Sequence, residues 1–302
     1  MEINDSQIKY LYESFRRGTM RSASEHFNVA ASSISRQIAS LERQLGIALV
    51  EKGRHTVQLT AAGQLLVDYY RERMGRNELL RAALDDLKAS RKGSVSFATG
   101  QGLIGPVLIP ALRAYRETWP EVRLHIHEVS NQQAVNMVCE DDVHFAVVLE
   151  TPEAPLLRTR FRLAQHWRLV MRPDNPLASR KSVSLADLAD ESMILASHAF
   201  RSRQLIEKAA KECGVSLDPA ITCASIPLVL DCVMAGFGVA LLNDLYVNRH
   251  LAAGRLKSVR VAHPMLEQVE VHAVVRAGRR LPRIATTLLD LLEQHGEALA
   301  TG

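Results

Sequence analysis

Apolar positions in the first sixty residues follow a helical period. Ile34, Ile38, Leu41 and Leu45 are spaced by four, three and four residues, one stripe of a 3.6-residue repeat, and predict a helix from about Ala31 to Leu45. A shorter helical pattern, Met20 to Phe27, precedes it across a polar break at Asn28, with small residues Ala23 and Ser24 where the two helices must cross. After Gly46 the segment IALVEKGRHTVQLT reads as strand, tip, strand, with Gly53 supplying turn freedom.

From Ala61 to about Ser90 there is no Pro, and Gly63 and Gly75 are the only glycines. Leu66, Tyr69 or Tyr70, Arg73, Leu80, Ala83 or Leu84, and Leu87 track a seven-residue repeat. A helix of ~30 residues would extend ~45 Å, and its stripe needs a partner, either a second copy in a helix–helix dimer or the chain's own domain. Ser90-Arg91-Lys92-Gly93-Ser94 marks a boundary.

Beyond it, short apolar runs alternate with amphipathic segments. Strands are predicted at 95–99, 122–129 and 145–149, with helices at 106–119 and 131–140. This is a β-α-β-α-β pattern, hence an α/β sheet. A second set begins near His166: strand WRLVMR, turn PDNPLA, a helix after Ser184 and strand SMILA. A helix from Phe200 to Cys213, a helix from Ile226 to Ala235 and strand 239–242 complete it. Strand VEVHAVV and a helix from Ile284 to Gln294 return to the first set.

Charge sharpens the picture. Residues 1–92 hold 15 Lys+Arg against 11 Asp+Glu, so the whole net charge of +4 sits there, while residues 93–302 hold 22 of each. That asymmetry fits one end of the chain meeting phosphate. Half a turn from its apolar stripe, the second helix carries Ser32, Ser33, Arg36, Ser40 and Arg43. Short hydroxyls with guanidinium forks between them suit a DNA major groove. Lys52, Arg54 and His55 at the hairpin tip suit phosphate or minor-groove contact. One feature opposes this fit: Ala30 and Ala31 stand where Ser, Thr, Asp or Asn would cap the helix, at a typical cost of ~1 kcal/mol. Either the helix begins at Ser32 or Asn28 helps to cap it.

With 47% apolar residues, the 302-residue chain is long enough for two or three packed units. The start MEINDSQIKY has no apolar signal core, and no run approaches the ~18–20 residues that span a bilayer, so a soluble, cytoplasmic protein without membrane contact is expected. Cys139, Cys213, Cys223 and Cys232 form no pair of metal-site spacing and read as buried thiols. Nucleophile-elbow, P-loop, His-Glu-x-x-His and dinucleotide patterns are missing, and GQGLIG has the wrong spacing for the last. No enzyme and no cofactor is therefore expected. A transport-type solute binder is disfavoured by the missing signal peptide and the attached DNA module.

The segment Ile8 to Gly63 resembles the winged helix–turn–helix of LysR-type transcriptional regulators. The match is carried by Gly18-Thr19, Ser35-Arg36-Gln37-Ile38, Leu41-Glu42, Leu45-Gly46, Leu59-Thr60 and Ala62-Gly63. Ala30, Ala31, Val50 and Ser24 depart from the family pattern. The resemblance adds Gln37 to the DNA-facing residues. It also implies that the α/β region is a two-subdomain effector domain of type 2 periplasmic-binding-protein form. The PDNPLA turn, the AGFGVALL segment and the loop after Thr99 match this form, and His144 stands where relatives carry Asp. The expected organisation is an all-α winged helix–turn–helix over 1–60, a linker helix over 61–92 and an effector domain over 93–302. Its subdomain I covers about 93–162 and 266–302, and its subdomain II about 163–265.

In open α/β sheets ligands sit at the carboxyl ends of strands, against helix N-termini. That singles out Thr99, Gly100 and Gln101; Ser130 and Asn131; His198, Phe200 and Arg201; and Ser225 and Ile226, positions the family also uses. Arg201 would pair with an anionic effector. The resemblance further implies a homodimer through the linker helix, a homotetramer built from it, a pseudo-palindromic operator and RNA polymerase as a candidate partner. The peroxide-sensing branch of the family carries a reactive Cys after a His at the position where Ala199 follows His198, so thiol switching is not expected.

Overall fold

The computed structural model describes residues 4–51, 56–87, 92–102, 105–150 and 154–300. Two compact units emerge, Met1–Leu84 and Asp85–Gly302.

The first unit is helical. Helix α1 (Asp5–Arg16) is capped by Asn4, whose side chain accepts from the Ser6 N–H. Thr19 caps α2 (Met20–Phe27) by accepting from Ser22, and Asn28 ends it in the left-handed region at φ 53°. Helix α3 spans Ala31–Leu45, with Gly46 closing it at φ 68°. Its N-cap is Ala30, with no side-chain hydrogen bond, so neither Ser32 nor Asn28 solves the capping problem. Ile34, Ile38 and Leu41 are buried against Ile8, Leu11 and Ala23. Helix α4 (Ala61–Leu87) contributes Val67 and Tyr70 to the same core. The linker helix thus starts as part of the helix–turn–helix unit, which is why that unit runs on past the expected boundary at residue 60.

The hairpin after α3 is short. Val50 and Leu59 form an antiparallel bridge, and Glu51 N–H donates to the Gln58 carbonyl at 2.9 Å. Val57 N–H reaches the Gly18 carbonyl at 2.7 Å, anchoring the returning arm to the α1–α2 turn. The tip residues Lys52, Gly53, Arg54 and His55 lie outside the described residues, as do Ser90 and Arg91 of the expected boundary.

The second unit holds two sheets. The first has the order β2-β1-β3-β11-β4, built from β1 (Gly93–Thr99), β2 (Val122–Glu128), β3 (Phe145–Leu149), β4 (Leu157–Gln165) and β11 (Val269–Arg276). β1 pairs in parallel with β2 and β3, whereas β11 runs antiparallel to β3 and β4. Helices α5 (Gly105–Thr118), α6 (Asn131–Cys139) and α11 (Arg283–Ala300) pack on it. The second sheet, β6-β10-β5-β9, joins β5 (Trp167–Met171), β6 (Ser182–Val183), β9 (Ala240–Asn243) and β10 (Lys257–Val261). The parallel pair β7 (Met193–Ala196) and β8 (Pro219–Cys223) touches this set through a Met193–Val239 bridge. Around them lie α7 (Arg201–Glu212), α8 (Ile226–Met234), α9 (Asp244–Ala252) and the single turn α10 (Pro264–Glu267).

The chain crosses between the sheets twice, at His166 between β4 and β5 and again between β10 and β11. The helix expected after Ser184 is a single 3-10 turn, Ala186–Leu188. Ser184 and Asp187 bond each other reciprocally and close that turn on itself. His144 fills its position with a nitrogen acceptor: Nδ1 takes the Ser96 N–H at 3.0 Å. Among the described residues no helix is long and apolar enough to cross a membrane.

Candidate DNA-reading face and effector cleft

On α3 the side opposite the buried stripe presents Ser32, Arg36 and Gln37 to solvent, with Ser33 and Ser40 half-buried. Arg36 folds back along its own helix, Nε donating to the Ser32 carbonyl at 3.2 Å and a terminal nitrogen to Ser33 Oγ at 3.4 Å. These are weak, exposed contacts that a phosphate or guanine acceptor can replace. Gln37 Oε1 accepts from Gln7 Nε2 at 3.2 Å, which fixes the amide against α1. Thr60 Oγ1 donates to the Ala48 carbonyl and accepts from Gly63 N–H, so the end of the hairpin and the start of α4 are tied together.

Along α4, Leu65, Tyr69, Leu80 and Leu84 are exposed. At 100° per residue they fall within one face about 100° wide. Leu66 and Tyr70, two positions of the expected repeat, instead turn inward to the unit's own core. The Leu87 side chain lies outside the described residues.

In the second unit a cavity of roughly 240 Å³ lies between the two sheets. Gly100, Gln101, Ser130, Asn131, Phe200, Arg201 and Ile226 line it, joined by Glu128, Trp167, Ala199 and Tyr246. Thr99, His198 and Ser225 fall outside the lining. Thr99 is buried with Oγ1 on the Gly100 carbonyl, Ser225 Oγ caps α8 through Leu228 N–H, and exposed His198 pairs with Glu207 at 3.1 Å.

Several lining groups are already committed. Ser130 and Gln133 form a reciprocal capping box at the start of α6. Asn131 both donates to and accepts from the backbone of Leu149. Gln101 Oε1 accepts the Ile226 N–H at 3.1 Å, Pro227 has no N–H, and Leu228 N–H goes to Ser225. The start of α8 is therefore spent.

The start of α7 is different: its N-cap is Phe200, without a side-chain hydrogen bond, and Phe200, Arg201 and Ser202 face the cavity. The first N–H groups of a helix lack intrahelical acceptors and carry its positive dipole end. Arg201 adds a guanidinium there, which also pairs with Glu150 Oε2 at 3.0 Å. Trp167 is buried with its indole Nε1 unpaired. Burial pushes the Tyr246 phenol above its ordinary range, with Arg249 opposing and Glu128 and Asp231 reinforcing, so it stays a neutral hydroxyl.

Two family models match the chain. The bacterial regulatory helix-turn-helix model of the lysR family covers residues 6–64, and the LysR substrate binding domain covers 88–297. The chain belongs to the LysR family of bacterial transcriptional regulators. It shares 29% identity over 297 residues with the regulator CbbR of Xanthobacter flavus, covering 96% of this chain and 87% of that protein. Full-length OxyR of Pseudomonas aeruginosa, in a Cys-to-Asp variant, superposes with a TM-score of 0.70 at 18% identity, over 97% of this chain and 95% of that one. Full-length CbnR complexed with its target DNA gives 0.56 at 19% identity, covering 97% and 99%. The effector binding domain of QuiR in complex with shikimate gives 0.58 at 13% identity, covering 68% and 98%.

As a LysR-family regulator the protein joins a DNA-binding domain to an effector-binding domain, the division its two units display. Sequence reasoning missed Glu128, Glu150, Trp167 and Tyr246. Trp167 had a signal, as the first residue of a buried strand run directly after a crossover. Glu128 and Glu150 had one too, at the carboxyl ends of β2 and β3, whereas Tyr246 depends on a distant segment meeting the cleft.

Proposed function

We propose that the protein reads a pseudo-palindromic operator as a homodimer and that a small carboxylate in the cleft modulates this binding. The observation that carries the effector reading is the uncapped start of α7 with Arg201 beside a cavity walled by Trp167, Phe200, Ile226 and Tyr246, with the polar groups Gln101, Glu128, Ser130 and Asn131 on its lining. An anion placed there gains helix N–H groups and a guanidinium together. Trp167, Phe200, Tyr246 and Ile226 accept a compact apolar body. The shikimate complex of QuiR, a carboxylate bound to a domain of the same fold, supports the same class.

On the DNA side, Ser32, Ser33, Arg36, Gln37 and Ser40 face the major groove, and the basic sequence of Lys52, Arg54 and His55 supplies phosphate contacts. The exposed stripe of Leu65, Tyr69, Leu80 and Leu84 pairs two copies, which sets two recognition helices about one helical turn of DNA apart. Pairing of dimers into a tetramer and contact with RNA polymerase rest on family resemblance alone. Effector binding shifts the balance between two cleft arrangements, and DNA affinity follows by linkage. The chemistry is binding without catalysis.

A thermal-shift screen of small organic and aromatic acids tests the cleft. A hit whose stabilisation vanishes in Arg201→Gln supports the site, and one that persists in the variant places the effector elsewhere.

A further inference from the structure

Glu150 stands at the carboxyl end of β3 in the first subdomain, and Arg201 opens α7 in the second. Their 3.0 Å ion pair therefore spans the cleft. We propose that Glu150 is a built-in competitor for the effector's carboxylate on Arg201, so that effector binding exchanges one carboxylate for another and Glu150 sets the concentration at which the regulator responds. The proposal rests on the carboxylate reading of the cleft.

Three observations carry it. First, Glu150 is held in place. Its φ of 48° lies in the left-handed region that non-glycine residues rarely adopt, and its N–H donates to the Glu270 carbonyl at 3.0 Å. The carboxylate is thereby presented to α7 from a fixed backbone.

Second, Arg201 lines two neighbouring cavities. One is the apolar cavity of Trp167, Phe200 and Tyr246; the other is lined by Glu150, Gln132 and Gln204. The guanidinium sits between a tethered carboxylate on one side and space for an apolar ligand on the other.

Third, the alternative anion position at the start of α8 is closed, because Gln101 Oε1 and Ser225 Oγ take its donors and Pro227 offers none. An arriving carboxylate meets Glu150 at the start of α7, which has no side-chain cap and opens on the cleft.

A tethered ligand competes at a high effective concentration. A bare carboxylate has no additional contact with which to displace it. A carboxylate on an aromatic or alicyclic body does, through the apolar cavity. Glu150 accordingly selects for the body of the effector as well as for its charge.

The test uses the full-length protein with acetate and benzoate as probes, read by thermal shift and titration calorimetry. In Glu150→Gln, benzoate should bind about two- to fivefold more tightly than in wild type, the range expected from removing a partly exposed ion pair. Saturable acetate binding should appear in the same variant. Arg201→Gln should remove both responses in either background. Glu150→Asn, whose side chain tolerates the left-handed backbone, should repeat the result and controls for disturbance of the turn. Equal or weaker carboxylate binding in both Glu150 variants, with loss confined to Arg201→Gln, overturns the competition and leaves the carboxylate site standing. Responses that persist in Arg201→Gln, or no response in any variant, overturn both.

Discussion

The carboxylate of Glu42 on the recognition helix accepts the backbone N–H of Leu49 at 2.7 Å, and at 3.2 Å that of Val50. One side chain thus joins α3 to the base of the wing, with Leu49 fully buried between them. Removing the acceptor leaves two N–H groups to be resatisfied. Glu42→Ala should destabilise the N-terminal unit by about 1–3 kcal/mol, and Glu42→Gln by less because an amide oxygen remains. Thermal denaturation orders the two variants. DNA affinity should follow the same order, because a loosened wing no longer holds its register to α3.

Ala30 has the extended backbone of an N-cap, φ −70° and ψ 138°, but no side-chain oxygen. Ala30→Ser should stabilise the unit by about 1 kcal/mol. Ala30→Asp should stabilise it comparably, while its charge repels DNA phosphate and weakens DNA binding. Melting temperature and DNA affinity measured together separate the two effects.

Gly63 sits in the first turn of α4, where an added Cβ would run into the Leu49 carbonyl. Backbone on both sides leaves little room to yield. Gly63→Ala should cost about 1–3 kcal/mol, the range for overpacking a close contact. Gly75, with nothing near its Cβ position, is the control. Gly75→Ala should be neutral or stabilising, because Ala is the better helix former.

If α4 pairs two copies, the exposed Leu80 and Leu84 are at the seam. Leu80→Glu combined with Leu84→Glu places like charges opposite each other there. Sedimentation should show wild-type dimers or larger assemblies and a monomeric variant with an intact melting transition of the C-terminal unit. An unchanged sedimentation coefficient would move the interface off this face.

The helix–turn–helix was legible because its signals are local. The four-three-four spacing of Ile34, Ile38, Leu41 and Leu45 fixes the buried side of α3, and Asn28 tolerates the left-handed turn before it. Strand β4 was missed. Its signal was overlooked: Arg158, Arg160 and Arg162 at exposed positions alternate with Leu157, Phe161 and Leu163, the period-2 pattern of a half-buried strand. Strand β8 and the α9–β10 pair were missed as well, being short elements whose pattern is set by the sheet they join. At the cleft, the rule that ligands meet strand ends found Gly100, Gln101, Ser130, Asn131, Phe200, Arg201 and Ile226 on the lining. The rule does not say which of those groups the protein consumes itself. Ser130, Asn131 and Gln101 are spent on caps and backbone, and Arg201 meets a glutamate 51 positions away. Such pairings arise from tertiary folding and leave no trace in local spacing.

The central claim is that a carboxylate at Arg201 controls what α3 does on DNA. The most direct measurement is a footprint on DNA selected from a random pool by the wild-type protein, recorded with and without benzoate for wild type and Arg201→Gln. The expected result is protection of two half-sites about one helical turn apart, altered in extent or occupancy by benzoate in wild type and unaltered in Arg201→Gln. A wild-type footprint indifferent to benzoate, or an equal change in the variant, would contradict it.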